Sequence, residues 1–86
     1  MLIDNMIADW NFGGSQSVTC PEQITLSEIL RTDRNQIDFR GLFEGRILYG
    51  SIWTKDEAFA KKMASAMKQN TGRTIQQIRA TEIQVD

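Results

Sequence analysis

The chain has no histidine, one cysteine, one proline and a single tyrosine in 86 residues. Each shortage removes a class of chemistry. Without histidine there is no side chain whose ordinary titration falls near neutral pH, so the usual general base and the commonest metal ligand are both missing. One cysteine and no histidine cannot assemble a tetrahedral zinc site, and iron–sulfur or haem ligation is equally unsupported. Cys20 has no second cysteine to bridge to within the chain, and a small domain without a disulfide suits a reducing compartment, so a cytoplasmic location is expected. As a nucleophile Cys20 lacks a histidine to activate it, and its place beside Pro21 in a polar stretch suits a plain thiol. Long apolar runs are absent too: none approaches the ~20 residues that span a bilayer. The first ten residues hold Asp4 and Asp9 and no basic leader, which is unlike a signal peptide. No membrane partner, metal or cofactor is expected.

The glycines do not make a phosphate-binding loop. Gly41, Gly45 and Gly50 fall in or beside a predicted hairpin, no Gly-Lys-Ser/Thr follows them, and relief of crowding beneath aromatic side chains explains them better. The stretch Asp33 to Asp38 has Ile37 and Asp38 where a calcium loop needs an oxygen ligand and a glycine. The paired acids Asp56 and Glu57 sit in a first helical turn, where the helix dipole accounts for them. An enzyme is therefore not expected.

What the chain does contain is the pattern of a folded domain. A hydrophobic share of 41% and a charged share of 24% are too apolar for a disordered segment, and the length predicts one small α+β domain over residues 1–86. Net charge is −1, with residues 1–45 holding three Arg against seven acids and residues 46–86 holding seven Lys or Arg against four. That split is the ordinary scatter of solvated faces, or an acidic and a basic patch that steer a partner.

The most specific segment runs from Thr54 to Gly72. Thr54-Lys55-Asp56-Glu57 has capping-box spacing. Phe59, Met63, Ala66 and Met67 then recur at helical intervals, while Lys61, Lys62, Ser65, Lys68 and Gln69 fall on the other side. Asn70 and Gly72 supply the stop. Next in clarity is a hairpin: Glu44-Gly45 joins Ile37 to Phe43 with Arg46 to Trp53, pairing 43 with 46, 42 with 47, 40 with 49 and 38 with 51. One face then carries Ile37, Phe39, Phe43, Leu48 and Ile52 as core. The other carries Asp38, Arg40, Leu42, Ile47, Tyr49, Ser51 and Trp53, a mixed set.

The remaining elements are weaker. Met1 to Phe12 reads as a strand closed by Gly13-Gly14, and Gly13 to Gln23 as a mobile loop. From Thr25 the spacing of Leu26, Ile29 and Leu30 and a second capping-box pattern predict a short helix ending near Asp33, with a strand as the rival reading. Thr74 to Val85 reads as a last strand with a slip between Ile78 and Thr81. The resulting order is βαββαβ, the split βαβ of the ferredoxin-like architecture: a small antiparallel sheet with helices on one face. The alternative drops the first helix and leaves a curved antiparallel sheet with one long helix.

In that architecture the mixed hairpin face is uncovered. Arg40, Tyr49 and Trp53 are the candidate partner-binding residues, with Trp10 or Phe12 alongside them on the first strand. Interface centres are enriched in Trp, Tyr and Arg, which favours another protein as partner. Aromatic platforms also stack bases, so a single-stranded nucleic-acid-binding module is the alternative. Tyr49 to Trp53 matches the tail of the RNA-recognition octapeptide only loosely, and a pI near 5.3 disfavours a phosphate backbone. The competing explanation is that Tyr49 and Trp53 complete a second small core. Lys61, Lys62 and Lys68, with Arg73, form a second candidate surface for an acidic partner, a second copy of the chain through its acidic N-terminal half included; their ordinary role is solubility, helped by a Glu57 to Lys61 pair. Small size, acidity and missing catalytic groups together suit a regulator, an accessory subunit or an inhibitor, including a phage-type antagonist of a host complex.

Overall fold

The structure is a computed structural model and describes residues 1–13 and 20–84. Four strands, β1 (Ile7–Gly13), β2 (Thr25–Asp33), β3 (Gln36–Phe43) and β4 (Arg46–Thr54), form one antiparallel sheet in the order β1-β4-β3-β2. Helices α1 (Glu57–Lys68) and α2 (Ile75–Arg79) follow the last strand, and short 3-10 turns cover Ile3–Met6 and Pro21–Gln23. The class is α+β, as the sequence predicts. The βαββαβ order is not adopted: the strands come first and the helices afterwards, which stands nearer the alternative of a curved antiparallel sheet with one long helix. No described helix is long and apolar enough to cross a membrane.

The segment 25–33 is a strand, and its helical spacing has a physical cause. Leu26 lies opposite Gly41, Ile29 opposite Phe39 and Thr32 opposite Ile37, with register shifts between Leu26 and Glu28 and between Ile29 and Arg31. Each bulge inserts one residue, so inward positions recur every third residue and imitate one face of a helix. Nor does Thr25 cap anything: the Leu26 amide donates to the Arg73 carbonyl at 2.9 Å and the Gly72 amide to the Leu26 carbonyl at 2.8 Å. The start of this edge strand is thus covered by the chain leaving α1.

The predicted final strand is corrected in the same way. Thr74 and Gln77 form a reciprocal capping box, the Thr74 hydroxyl accepting from the Gln77 amide at 3.3 Å and Gln77 Oε1 from the Thr74 amide at 3.0 Å. Ile75 and Ile78, three apart, are both fully buried on the inner side of α2. Thr81–Ile83 only borders the N-terminal segment, through the Ile3 amide to the Thr81 carbonyl at 3.0 Å and the Ile83 amide to the Met1 carbonyl at 2.9 Å; Val85 lies outside the described residues. Of the predicted 13–23 loop, residues 14–19 lie outside them as well, and Pro21–Gln23 is a 3-10 turn. The predicted first strand begins only at Ile7, after the 3-10 turn.

The hairpin and α1 follow the predicted pattern. Pairs 43 with 46, 42 with 47, 40 with 49 and 38 with 51 all form. Glu44 and Gly45 both have positive φ, 51° and 77°, as a type I′ connection demands. The cap of α1 differs: Thr54 is the buried last residue of β4, and the Asp56 carboxylate accepts from the Phe59 amide at 2.9 Å. Thr54 donates its hydroxyl to the Asp56 carbonyl at 2.6 Å, so it steers the chain into the helix from one step back.

The inner layer joins Ile37, Phe39, Leu48 and Ile52 of the hairpin to Ala60, Met63, Ala64 and Met67 of α1, with Ile3, Met6, Ile24, Leu26, Ile75 and Ile78 around them. Phe59 and Phe43, expected in the core, are half-buried at its rim, and Lys55 Nζ rests 4.4 Å from the centre of the Phe59 ring. Trp10 and Phe12 face this layer and not the open one. Trp10 pairs with Ile52 and Phe12 with Gly50, and both rings meet Phe39 edge-on at 6.2 and 5.7 Å.

Phe39→Ala is expected to cost about 3–5 kcal/mol, whereas Phe59→Ala, at the rim, should cost clearly less; chemical denaturation of both variants checks the ranking. Glu44→Asn places a residue that tolerates positive φ in the type I′ turn and should stabilise the domain by roughly 0.5–1 kcal/mol, read as a rise in melting temperature.

Candidate functional site

The face of the sheet away from the helices is set by the register. Four cross-strand rows cover it: Asp33, Gln36, Trp53 and Asp9; then Arg31, Asp38, Ser51 and Asn11; then Glu28, Arg40 and Tyr49; then Thr25, Leu42 and Ile47. Charges concentrate in the first three rows and the aliphatic pair closes the hairpin end. Tyr49 is 55% exposed, Ile47 54% and Leu42 42%. Leu30, displaced outward by the second bulge of β2, adds another exposed apolar side chain near the same face.

Both arginines of this face, and Glu28, Asp33 and Asp38, are paired within it. Arg40 Nη2 lies 3.1 Å from Glu28 Oε1, Arg31 Nη2 lies 3.1 Å from Asp33 Oδ2, and Arg31 Nε lies 3.8 Å from Asp38 Oδ2. Asp38 Oδ1 accepts from Ser51 Oγ at 2.7 Å and from Gln36 Nε2 at 2.8 Å. Beside this network is a shallow depression of about 450 Å³, with Asn11, Leu30, Gln36, Asp38, Tyr49 and Ser51 around it. Such exposed pairs contribute little to stability, but they hold the long side chains down and leave Tyr49 standing clear.

Of the expected site residues, Arg40 and Tyr49 are cross-strand partners, and Trp53, half-buried, lies on the same face next to Asp9 and Gln36. Lys61, Lys62 and Lys68 are on α1, in the layer on the other side of the sheet, so they do not join this site. Lys61 Nζ makes the expected i,i+4 pair with Glu57 at 3.7 Å, Lys68 is exposed, and Lys62 is half-buried beside the groove between α1 and Glu82 and Ile83. No group of three or more potential metal-ligating side chains lies together among the described residues.

The sequence reading left out Asn11, Leu30 and the aliphatic pair as site members. Leu42 and Ile47 were recoverable, since the Glu44-Gly45 register puts them opposite each other and away from Phe39. Asn11 and Leu30 were not, because the pairing of β1 with β4 and the bulges of β2 are long-range facts. No protein-family model matches this chain, and the comparisons with curated proteins and with solved structures return no match either.

Proposed function

We propose that the protein is a small non-catalytic protein-binding module, a regulator, inhibitor or accessory subunit of the cytoplasm, which docks another protein on the open face of its sheet. The observation that carries this reading is the exposed strip of Leu42, Ile47 and Tyr49, with Arg40 opposite Tyr49 and Trp53 two rows further along the same face. An aromatic and aliphatic centre with an arginine beside it and a polar margin is the composition of an interface. The absence of histidine from the chain supports a role without catalysis.

Charge favours a protein over a nucleic acid. Both arginines of the face are already held by carboxylates, and Asp9, Glu28, Asp33 and Asp38 outnumber Arg31 and Arg40. A phosphate backbone would have to displace those carboxylates before it could release its own counterions.

Tyr49→Ala is expected to weaken capture of the partner by at least about tenfold, or ~1.4 kcal/mol, with little change in melting temperature because the ring is exposed. Immobilised wild-type and variant protein, incubated with host extract, would be compared for proteins retained by the first and lost by the second. Identical retention, or gel-shift binding of single-stranded RNA that collapses with added salt, would replace this reading.

A further inference from the structure

The two edges of the sheet differ in how they are closed. At β2 the Leu26 amide and carbonyl are bonded to Arg73 and Gly72, two bulges break the ladder, and Glu28 and Arg31 stand along it. These are the usual devices against stray pairing. Strand β1, at the other end of the order, lacks most of them: past its bulge between Ile7 and Asp9 the pairing is regular, and the strand holds no proline, lysine or arginine.

The register fixes which backbone groups β1 leaves open. The Thr54 amide donates to the Asn35 carbonyl at 2.8 Å, so by alternation Ile52 and Gly50 also bond toward β3, while Trp53 and Ser51 bond toward β1. Asp9 and Asn11, opposite Trp53 and Ser51, therefore turn their backbone groups into the sheet. Trp10 and Phe12 turn theirs outward, and among the described residues nothing receives them.

Side chains narrow the kind of strand that fits there. On an added antiparallel strand, the residues level with Trp10 and Phe12 face the inner layer beside two half-buried rings stacked 6.2 Å apart, so apolar side chains suit those positions. The alternate residues come level with Asp9 and Asn11, exposed on the other face, in the closer type of pair. Glu28, Asp33 and Asp38 are held by arginines, whereas Asp9 has no ion pair or hydrogen bond among the described residues. A lysine or arginine beside it gains a cross-strand partner. A second copy of β1 brings no such cation.

We propose that the outer edge of β1 takes up an extended segment of another protein as a fifth, antiparallel strand, with apolar residues beside Trp10 and Phe12 and a lysine or arginine beside Asp9. The edge is a separate surface from the strip of Leu42, Ile47 and Tyr49, so Tyr49→Ala should leave it unchanged.

Amide hydrogen exchange on the full chain, read residue by residue by NMR, tests this with an end-blocked octapeptide of alternating valine and lysine as probe. In the free protein the Trp10 and Phe12 amides are expected to exchange at least about tenfold faster than that of Asn11. The peptide should bind with a dissociation constant of about 1 mM or tighter and slow those two amides at least about tenfold. N-methylation of its valine amides, which face β1, should abolish binding. Exchanging its lysines for glutamates, or Asp9→Lys in the protein, should weaken binding at least about threefold.

Slow exchange at Trp10 and Phe12 before peptide is added would show the edge already filled, and slowing that grows with protein concentration alone would give it to a second copy; either result overturns the proposal. So would no slowing with peptide in large excess, equal binding of the N-methylated or glutamate peptide, or loss of binding through Tyr49→Ala, which would place the peptide on the open face. Peptide bound at β1, with wild type and Tyr49→Ala retaining the same host proteins, would support this site and remove the docking reading.

Discussion

Phe39 lies across Gly50, and most of the molecule is arranged around that contact. A Cβ at position 50 would stand 2.5 Å from Phe39 Cζ and 2.9 Å from the Asn11 carbonyl oxygen, so only glycine lets the ring lie flat on the neighbouring strand. Laid there, the ring is 1% exposed and receives the edges of Trp10 and Phe12 from β1. One side chain thereby joins the N-terminal strand to the central hairpin. Aromatic pairs in this geometry contribute about 0.5–1.5 kcal/mol beyond their buried area.

Arg79 secures the periphery of the same layer. Its Nε is 2.6 Å from Asp4 Oδ1, its Nη1 is 3.5 Å from Glu22 Oε1, and the guanidinium lies 5.7 Å from the Trp10 ring. A five-residue helix is too short to be stable alone. Its capping box, two buried isoleucines and this arginine together dock α2 against both 3-10 turns and β1. All large hydrophobic burial is therefore on one side of the sheet. The other side carries ion pairs within the sheet, and its hairpin end keeps an apolar strip that nothing described covers.

The edges of the sheet are treated unequally. At β2 the first residues pair with the chain around Gly72 to Thr74, and the rest is bulged twice and carries Glu28 and Arg31, devices that blunt an edge against unwanted pairing. The hairpin strands, by contrast, are regular over all eight paired positions. Regular pairing gives Arg40, Tyr49, Leu42 and Ile47 fixed relative positions on the central face, which the proposed docking role would use.

Local chemistry was legible wherever it was self-sufficient. Glu44-Gly45 determines its turn, and the turn determines the register of β3 with β4, so the core face and the Arg40–Tyr49 pair could be read from the chain alone. The stripe of Met63 and Met67 likewise determined α1. Tertiary structure decided what spacing could not. Leu26 and Ile29 recur like a helix because a bulge between them displaces the strand against β3, and Ile75 and Ile78 recur like a slipped strand because five residues make one capped turn. The Thr74-to-Gln77 spacing was present in the sequence and was outweighed by the β-branched residues around it. Which face Trp10 and Phe12 occupy depended on pairing with a strand about forty residues away. Periodicity reports only which residues share a side of their own element. The partner of that side is chosen by the burial of the whole chain.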